Sequence, residues 1–275
     1  MATPRLASLR LSAADGGTLP VDVRTGGRPG ERRPAVVICH GFKGFKDWGF
    51  FPKLAERLAT AGFTAVTFNC SGSGVGGGDI FDEPERWFRQ RPSTDLADVG
   101  TVVDWAVGEG APWIGVVGHS RGGGLAILHT ARDPRVRALV TWNSIDHFLR
   151  WDPAEIARWR RDGRIDVVNA RTGQVLPIGR DALDDIDQHA GSTLDILAAA
   201  GRLAVPWLIV HGGADRAVPP EVASALAGRS VAPATELLLI EGADHTFGIR
   251  HPWAGSTPEF DQVLERTTGH LAAAL

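Results

Sequence analysis

Apolar positions along the chain follow two different periods, and the change from one to the other predicts most of the elements. Leu6–Leu11 and Leu19–Val23 alternate apolar and polar residues around Asp15-Gly16-Gly17, the pattern of a β-hairpin at a sheet edge. Gly26–Pro34 is a polar loop. From there the strands read differently. Ala35–Cys39, Phe63–Phe68, Trp113–Val117, Val136–Trp142, Trp207–Val210 and Glu236–Ile240 are short, mainly apolar runs, as expected of strands buried on both faces. Helical patterns lie between them, over Pro52–Ala61, Ser93–Val107, Gly122–Leu128, Glu221–Ala227 and Pro258–Ala273. Leu96, Val99, Val102, Val103 and Ala106 form the apolar stripe of the second.

The rhythm breaks between Trp142 and Val205. This stretch predicts a helix over Pro153–Arg161, a hairpin pairing Arg164–Asn169 with Gln174–Ile178, and a further helix over Leu194–Ala200. Strands alternating with helices imply a parallel sheet covered on both faces. Ligands in such sheets bind beyond the carboxyl ends of the strands. His40, Ser120, Asp215 and His245 each follow a predicted strand and should share that edge.

Composition narrows the class. The chain has 275 residues, 43% hydrophobic and 22% charged, enough for one sizeable core. The net charge of −3 and the lack of a long Lys/Arg block point away from nucleic acid and anionic membranes. Arg158-Trp159-Arg160-Arg161 sits among acidic residues and reads as a solvated helix face. Cys39 and Cys70 each end an apolar run and read as buried free thiols in a reducing compartment. The first residues lack the apolar core of a signal peptide, and no run approaches the ~20 apolar residues of a membrane span. A cytoplasmic location is the expectation. No tyrosine exists to act as a phenolic acid or oxyanion donor.

Gly118-His119-Ser120-Arg121-Gly122 stands at a strand-to-helix junction, the setting of a nucleophile elbow. The turn is sharp enough to need a strained backbone at its centre and glycines beside it. A serine hydroxyl at neutral pH requires an adjacent base held by a third group, in the chain order Ser, Asp or Glu, His. Asp215 and His245 meet that order. Asp146, after the sixth strand, is a rival acid, and His251 a rival base. Asp244 reads as a loop hydrogen-bond acceptor, and His40, His119 and His211 as structural imidazoles. The oxyanion donors would be the backbone N–H groups of Arg121 and Phe42.

A second glycine-rich stretch, Ser71–Asp79, contains Gly72-x-Gly74-x-x-Gly77, formally a dinucleotide fingerprint. That motif needs a helix opening on its last glycine, whereas Pro84 and the preceding acidic residues follow here without a helical period. It reads instead as a mobile loop at the rim of a pocket rather than as a nucleotide site, and no metal site is expected.

On His40-Gly41-Phe42-Lys43-Gly44, the glycine loop at Ser71–Gly78, Gly118–Gly122, Asp215 and His245, the chain resembles the serine-dependent α/β-hydrolase superfamily over nearly its full length. Within it, the chain is similar to small bacterial hydrolases grouped with dienelactone hydrolases and with feruloyl (cinnamoyl) esterases. Dienelactone hydrolases proper carry cysteine where Ser120 stands. The resemblance implies an α/β fold with a mostly parallel eight-stranded sheet, helices on both faces, and a small cap built from Asp146–Leu203 in a single domain. It also implies hydrolysis of a small-molecule ester through an acyl-enzyme, without a cofactor. Trp151, Trp159 and Phe148 of that cap either line the pocket or pack the cap onto the body. Other readings are a peptidase or acyl-aminopeptidase, a thioesterase, and a non-catalytic small-molecule-binding homologue. Asp181, Asp184, Asp185 and Asp187 would favour the peptidase if they held a free amine, but an amphipathic helix surface also explains them.

Overall fold

The apolar runs pair as the alternation requires. In the computed structural model, which describes residues 4–27, 30–232 and 234–275, eight strands form one sheet. They are β1 (Arg5–Ser12), β2 (Thr18–Thr25), β3 (Ala35–Cys39), β4 (Thr64–Phe68), β5 (Ile114–His119), β6 (Val136–Trp142), β9 (Trp207–Gly212) and β10 (Thr235–Ile240). Their order is β1-β2-β4-β3-β5-β6-β9-β10. The β1–β2 and β2–β4 pairs are antiparallel and the others parallel. Strand order reverses around β3, whose Cys39 lies opposite Gly118 of β5, so the loops after both strands emerge side by side. A switch of this kind opens a crevice at the carboxyl edge.

Period-2 alternation divides the core. Val36 and Ile38 of β3 join α1 (Phe51–Thr60) and α9 (Pro258–Ala272) on one face. Val37 and Cys39 meet α3 (Pro92–Gly108) and α4 (Arg121–Thr130) on the other, in a core that α8 (Pro220–Arg229) extends beneath β9 and β10. Cys39 and Cys70 are both buried and free.

Between β6 and β9 come α5 (Pro153–Asp162), the two-stranded sheet β7 (Arg164–Val168) and β8 (Val175–Gly179), α6 (Arg180–His189) and α7 (Ile196–Ala200). The start of α5 is set locally. Asp152 accepts from the Glu155 N–H at 2.8 Å, Glu155 accepts from the Asp152 N–H at 3.2 Å, and Pro153 occupies the first turn. Trp159, Ile165, Leu176, Ile178 and Leu183 pack this insertion onto Phe45, Phe81 and Trp87 of the body. α7 behaves differently from the rest: it lies against α4 and α8, and Ile196 and Ala199 belong to the body core. The part resting over the strand ends is therefore shorter than 146–203.

Two expectations are corrected. A short helix, α2 (Pro84–Phe88), follows the glycine loop. Its single turn is too short to show a helical period, and it exists to bury Trp87, whose ring packs 5.1 Å from Phe81 and 5.3 Å from Phe42. The glycine loop itself begins as a buried 3-10 turn over Ser71–Ser73. Asp98 accepts from the Ser71 N–H at 2.7 Å and Asp95 from the Gly72 N–H at 3.0 Å, so this half is fastened rather than mobile. Among the described residues no helix is long and apolar enough to cross a membrane.

Candidate active site

Ser120 has φ 56° and ψ −121°, a left-handed conformation that costs a non-glycine residue ~1–3 kcal/mol. The surroundings enforce it. The Ser120 N–H donates to Trp142 O at 2.9 Å, and its carbonyl accepts from Gly123 N at 2.9 Å. A side chain at Gly118 would collide with the Gly122 carbonyl, and one at Gly122 with the carbonyls of Cys39 and His40. At Gly123 and Gly124 a Cβ would come within 2.6 Å of Ser144 and Ile196. The glycine triplet opposes helix propensity by roughly 1 kcal/mol per residue, because α4 must begin pressed against β3 and the turn after β6.

Asp215 follows β9 and is closed off from solvent. One carboxylate oxygen accepts from the N–H groups of Ala217 and Val218 at 2.8 and 2.9 Å. The other lies 2.6 Å from His245 Nδ1, after β10. Burial works to raise the Asp215 pKa, but the His245 hydrogen bond and charge and the two backbone donors outweigh it, leaving the carboxyl below its ordinary value. An ionised Asp215 fixes the proton on Nδ1 and leaves Nε2 as the basic nitrogen. His245 and Ser120 line the same cavity.

Two residues hold the backbone of His245. The His245 carbonyl accepts from His119 Nε2 at 2.9 Å and from Asn143 Nδ2 at 2.8 Å. The other side of the Asn143 amide accepts from the Gly212 N–H at 2.7 Å, so one buried side chain ties the turn after β6 to the loops carrying Asp215 and His245. Asn143 has φ 47°, which asparagine tolerates better than most residues. Sequence reasoning passed over it. The available signal was an Asn directly after an apolar strand. Burial drives the His119 pKa down to about 3, with His245 adding to the effect, so His119 acts as a neutral donor.

The loop after β3 passes close to Ser120: a Cβ at Gly41 would lie 3.0 Å from Ser120 Cβ. His40 braces this loop, with Nδ1 bonded to Gly41 O at 2.9 Å and Nε2 accepting from Cys70 N at 3.0 Å. Burial lowers its pKa to about 4. Phe42 comes next in the loop. Arg121 is the first residue of α4, where an N–H has no acceptor within the helix. The Arg121 side chain, for which the sequence suggested no role, bonds Gln90 at 2.6 Å and Asp95 at 2.7 Å. Asp95 also holds Gly72, so the elbow and the glycine loop share one buried carboxylate. Burial raises the Asp95 pKa despite Arg121; burial and the Asp95 charge raise that of Asp98 to about 6.

The rivals sit elsewhere. His251 accepts from Gly49 N at 3.0 Å and stands 3.4 Å from Asp79. Asp146 bonds His147 at 2.6 Å. Asp244 accepts from Thr246 N and Gly248 N, closing its own loop. Above Ser120 lies a cavity of about 520 Å³. Phe42, Phe148, Trp151, Trp159 and Ile178 supply apolar wall. Trp159 does double duty: it is fully buried, stacks edge-on 4.9 Å from Trp151 and donates to Gly179 O. Among the described residues no cluster of three His, Cys, Asp or Glu is arranged to hold a metal ion.

Comparison with known proteins agrees with this architecture. Residues 30–148 match the family described as "Serine aminopeptidase, S33". The chain is 26% identical over 245 residues to 2,6-dihydropseudooxynicotine hydrolase of Paenarthrobacter nicotinovorans, covering 86% of this chain and 59% of that one, so it spans less than two thirds of that relative. It is 28% identical over 269 residues to a pimeloyl-[acyl-carrier protein] methyl ester esterase of Xanthomonas campestris pv. campestris, covering 86% of this chain and 96% of the esterase. Est1E from Butyrivibrio proteoclasticus with ferulic acid bound superposes with a TM-score of 0.75 at 21% identity, over 97% of this chain and 98% of that one. The α/β hydrolase GrgF from Penicillium sp. sh18 gives 0.76 at 17% identity, over 98% and 99%. The chain has the α/β-hydrolase fold, and it resembles bacterial esterases that share it.

Proposed function

We propose that the protein is a serine hydrolase that cleaves carboxylic esters of small acyl or aromatic groups. His245 Nε2 takes the Ser120 proton as Oγ attacks the ester carbonyl. Asp215 stays ionised and stabilises the imidazolium. The N–H groups of Arg121 and Phe42 receive the oxyanion, each such donor typically contributing ~2.7–4 kcal/mol. The tetrahedral adduct collapses as the imidazolium protonates the departing alcohol, leaving an ester on Ser120. Water, deprotonated by His245, then attacks this ester and releases the acid, restoring the serine. The insertion between β6 and β9 acts as a cap that gives the substrate an apolar roof.

The observation that carries this reading is the Asp215–His245 hydrogen bond of 2.6 Å, ending at a cavity that Ser120 also lines. An ester-cleaving relative and a ferulic-acid-bound structural neighbour point the same way. An aminopeptidase reading lacks a counter-ion for a free amine. Asp181, Asp184 and Asp187 bond Arg91, Arg180 and Arg160, Asp185 bonds Ser93, and none of the four lines the cavity. A fluorophosphonate followed by peptide mapping should place a single adduct on Ser120, and p-nitrophenyl esters should turn over faster than aminoacyl p-nitroanilides. A folded protein left unlabelled at Ser120 overturns the hydrolase, and faster amide turnover overturns the ester.

A further inference from the structure

The cavity beside Ser120 has walls of one charge. Lys43, Arg121 and Arg150 line it, and among the described residues no aspartate or glutamate does. Arg121 is balanced by Asp95. The other two cations are not balanced in this way. Lys43 donates to the Val168 carbonyl at 3.1 Å and lies 5.8 Å from the centre of the Phe42 ring. Its backbone is held at φ 58°, in the left-handed region, and burial alone pulls its pKa down. Arg150 donates to the Ala217 carbonyl at 2.7 Å. The carboxylate whose field Arg150 shares, Asp146, is bonded to His147. Lys43, half-buried against the Phe42 ring, and Arg150, exposed at the cavity wall, therefore both donate to neutral backbone oxygens.

A partly desolvated cation without a counter-ion, as Lys43 is, loses hydration that an arriving anion restores, and the exposed Arg150 adds to the positive field at the same wall. Charge-assisted bonds from Lys or Arg to a carboxylate are about twice as strong as neutral ones, and stronger still beside apolar walls. The same field repels a cationic substrate. We propose that the favoured substrate is an ester bearing a free carboxylate besides its scissile bond, with Lys43 and Arg150 as the groups that receive that carboxylate. The inference rests on the ester-hydrolase reading and adds the charge of the substrate to it.

The test compares matched pairs at low ionic strength. On the acyl side, mono-(p-nitrophenyl) adipate is set against p-nitrophenyl hexanoate. On the alcohol side, 4-acetoxybenzoate is set against 4-acetoxybenzamide. In one of the two arms kcat/KM should favour the anion by about tenfold or more. The ratio should shrink as salt is added and fall toward one in Lys43→Met and Arg150→Met. Lys43→Gln serves as a second variant if Lys43→Met fails to fold. Turnover of the neutral esters with a ratio at or below one in both arms overturns the proposal and leaves the hydrolase standing. A preference that survives both substitutions overturns the assignment to these residues. Failure to hydrolyse any of the four esters, with no label on Ser120, defeats instead the reading on which the proposal rests.

Discussion

Two glycine-rich turns lie on either side of β3, one after β4 and one after β5, and their glycines are there for different reasons. In Gly118–Gly122 the space a Cβ would need is filled by backbone oxygens of neighbouring strands and of the turn itself, which cannot move without dismantling the sheet. In Ser71–Asp79 it is filled by side chains. A Cβ at Gly72 would meet Gln90 at 2.7 Å and Asp95 at 2.9 Å, and one at Gly74 would meet Trp87 at 2.7 Å. By Gly77 the nearest atom is 3.8 Å away, and Gly78 faces open space. The first turn strains Ser120; the second supplies N–H groups to Asp95 and Asp98. Glycine content marks both, but only the identity of the filling atoms separates a turn that forces a serine into a strained conformation from one that packs.

The contrast can be broken by adding one methyl at a time. Gly122→Ala drives a carbon into two main-chain carbonyls and should cost on the order of 4 kcal/mol or more, or prevent folding altogether. Gly72→Ala presses on the Gln90 Cβ and the Asp95 carboxylate, side-chain atoms rather than main-chain carbonyls, and roughly 1–3 kcal/mol is expected. Gly78→Ala should stay within about 0.5 kcal/mol. Urea unfolding of the three variants checks the series. Equal losses at Gly72 and Gly122 would erase the distinction between backbone and side-chain filling.

Acidification probes the same two turns through their ionisable groups. His40 and His119 brace the Ser120 side, and burial lowers their pKa values to about 4 and about 3. His129 in α4 is likewise lowered to about 4. Each takes up a proton more readily when unfolded, so its contribution is complete above the unfolded pKa of about 6.5 and is lost as pH falls toward the folded value. Asp95 and Asp98 act in the opposite sense, since their raised values withdraw stability as pH rises, for Asp98 up to about 6. Burial lowers His211 and His270 as well, so five imidazoles outnumber the two carboxyls, and stability should climb between about pH 4 and 6.5. A decline across that window in urea midpoints would mean that the glycine-loop carboxyls dominate.

Most of the sheet and the candidate site could be read before folding because both depend on local pattern. Buried strands advertise themselves as apolar runs, and Ser120, Asp215 and His245 each follow one. The missing pieces depend on contacts distant in sequence. α2 is one turn long and exists for Trp87. The fastening of the glycine loop requires Asp95 and Asp98, a helix away. Asn143 joins Gly212 to His245 across three loops, and Arg121 reaches Gln90 and Asp95. None of these pairings has a period or a fixed spacing.

The central claim is that Ser120, activated through His245 and Asp215, is the nucleophile. It is tested most directly by steady-state hydrolysis of p-nitrophenyl hexanoate with Ser120→Ala, after circular dichroism shows the wild-type fold. Loss of kcat by a factor on the order of 10⁴ or more is the predicted result. A folded Ser120→Ala protein that keeps most of the wild-type rate would contradict it.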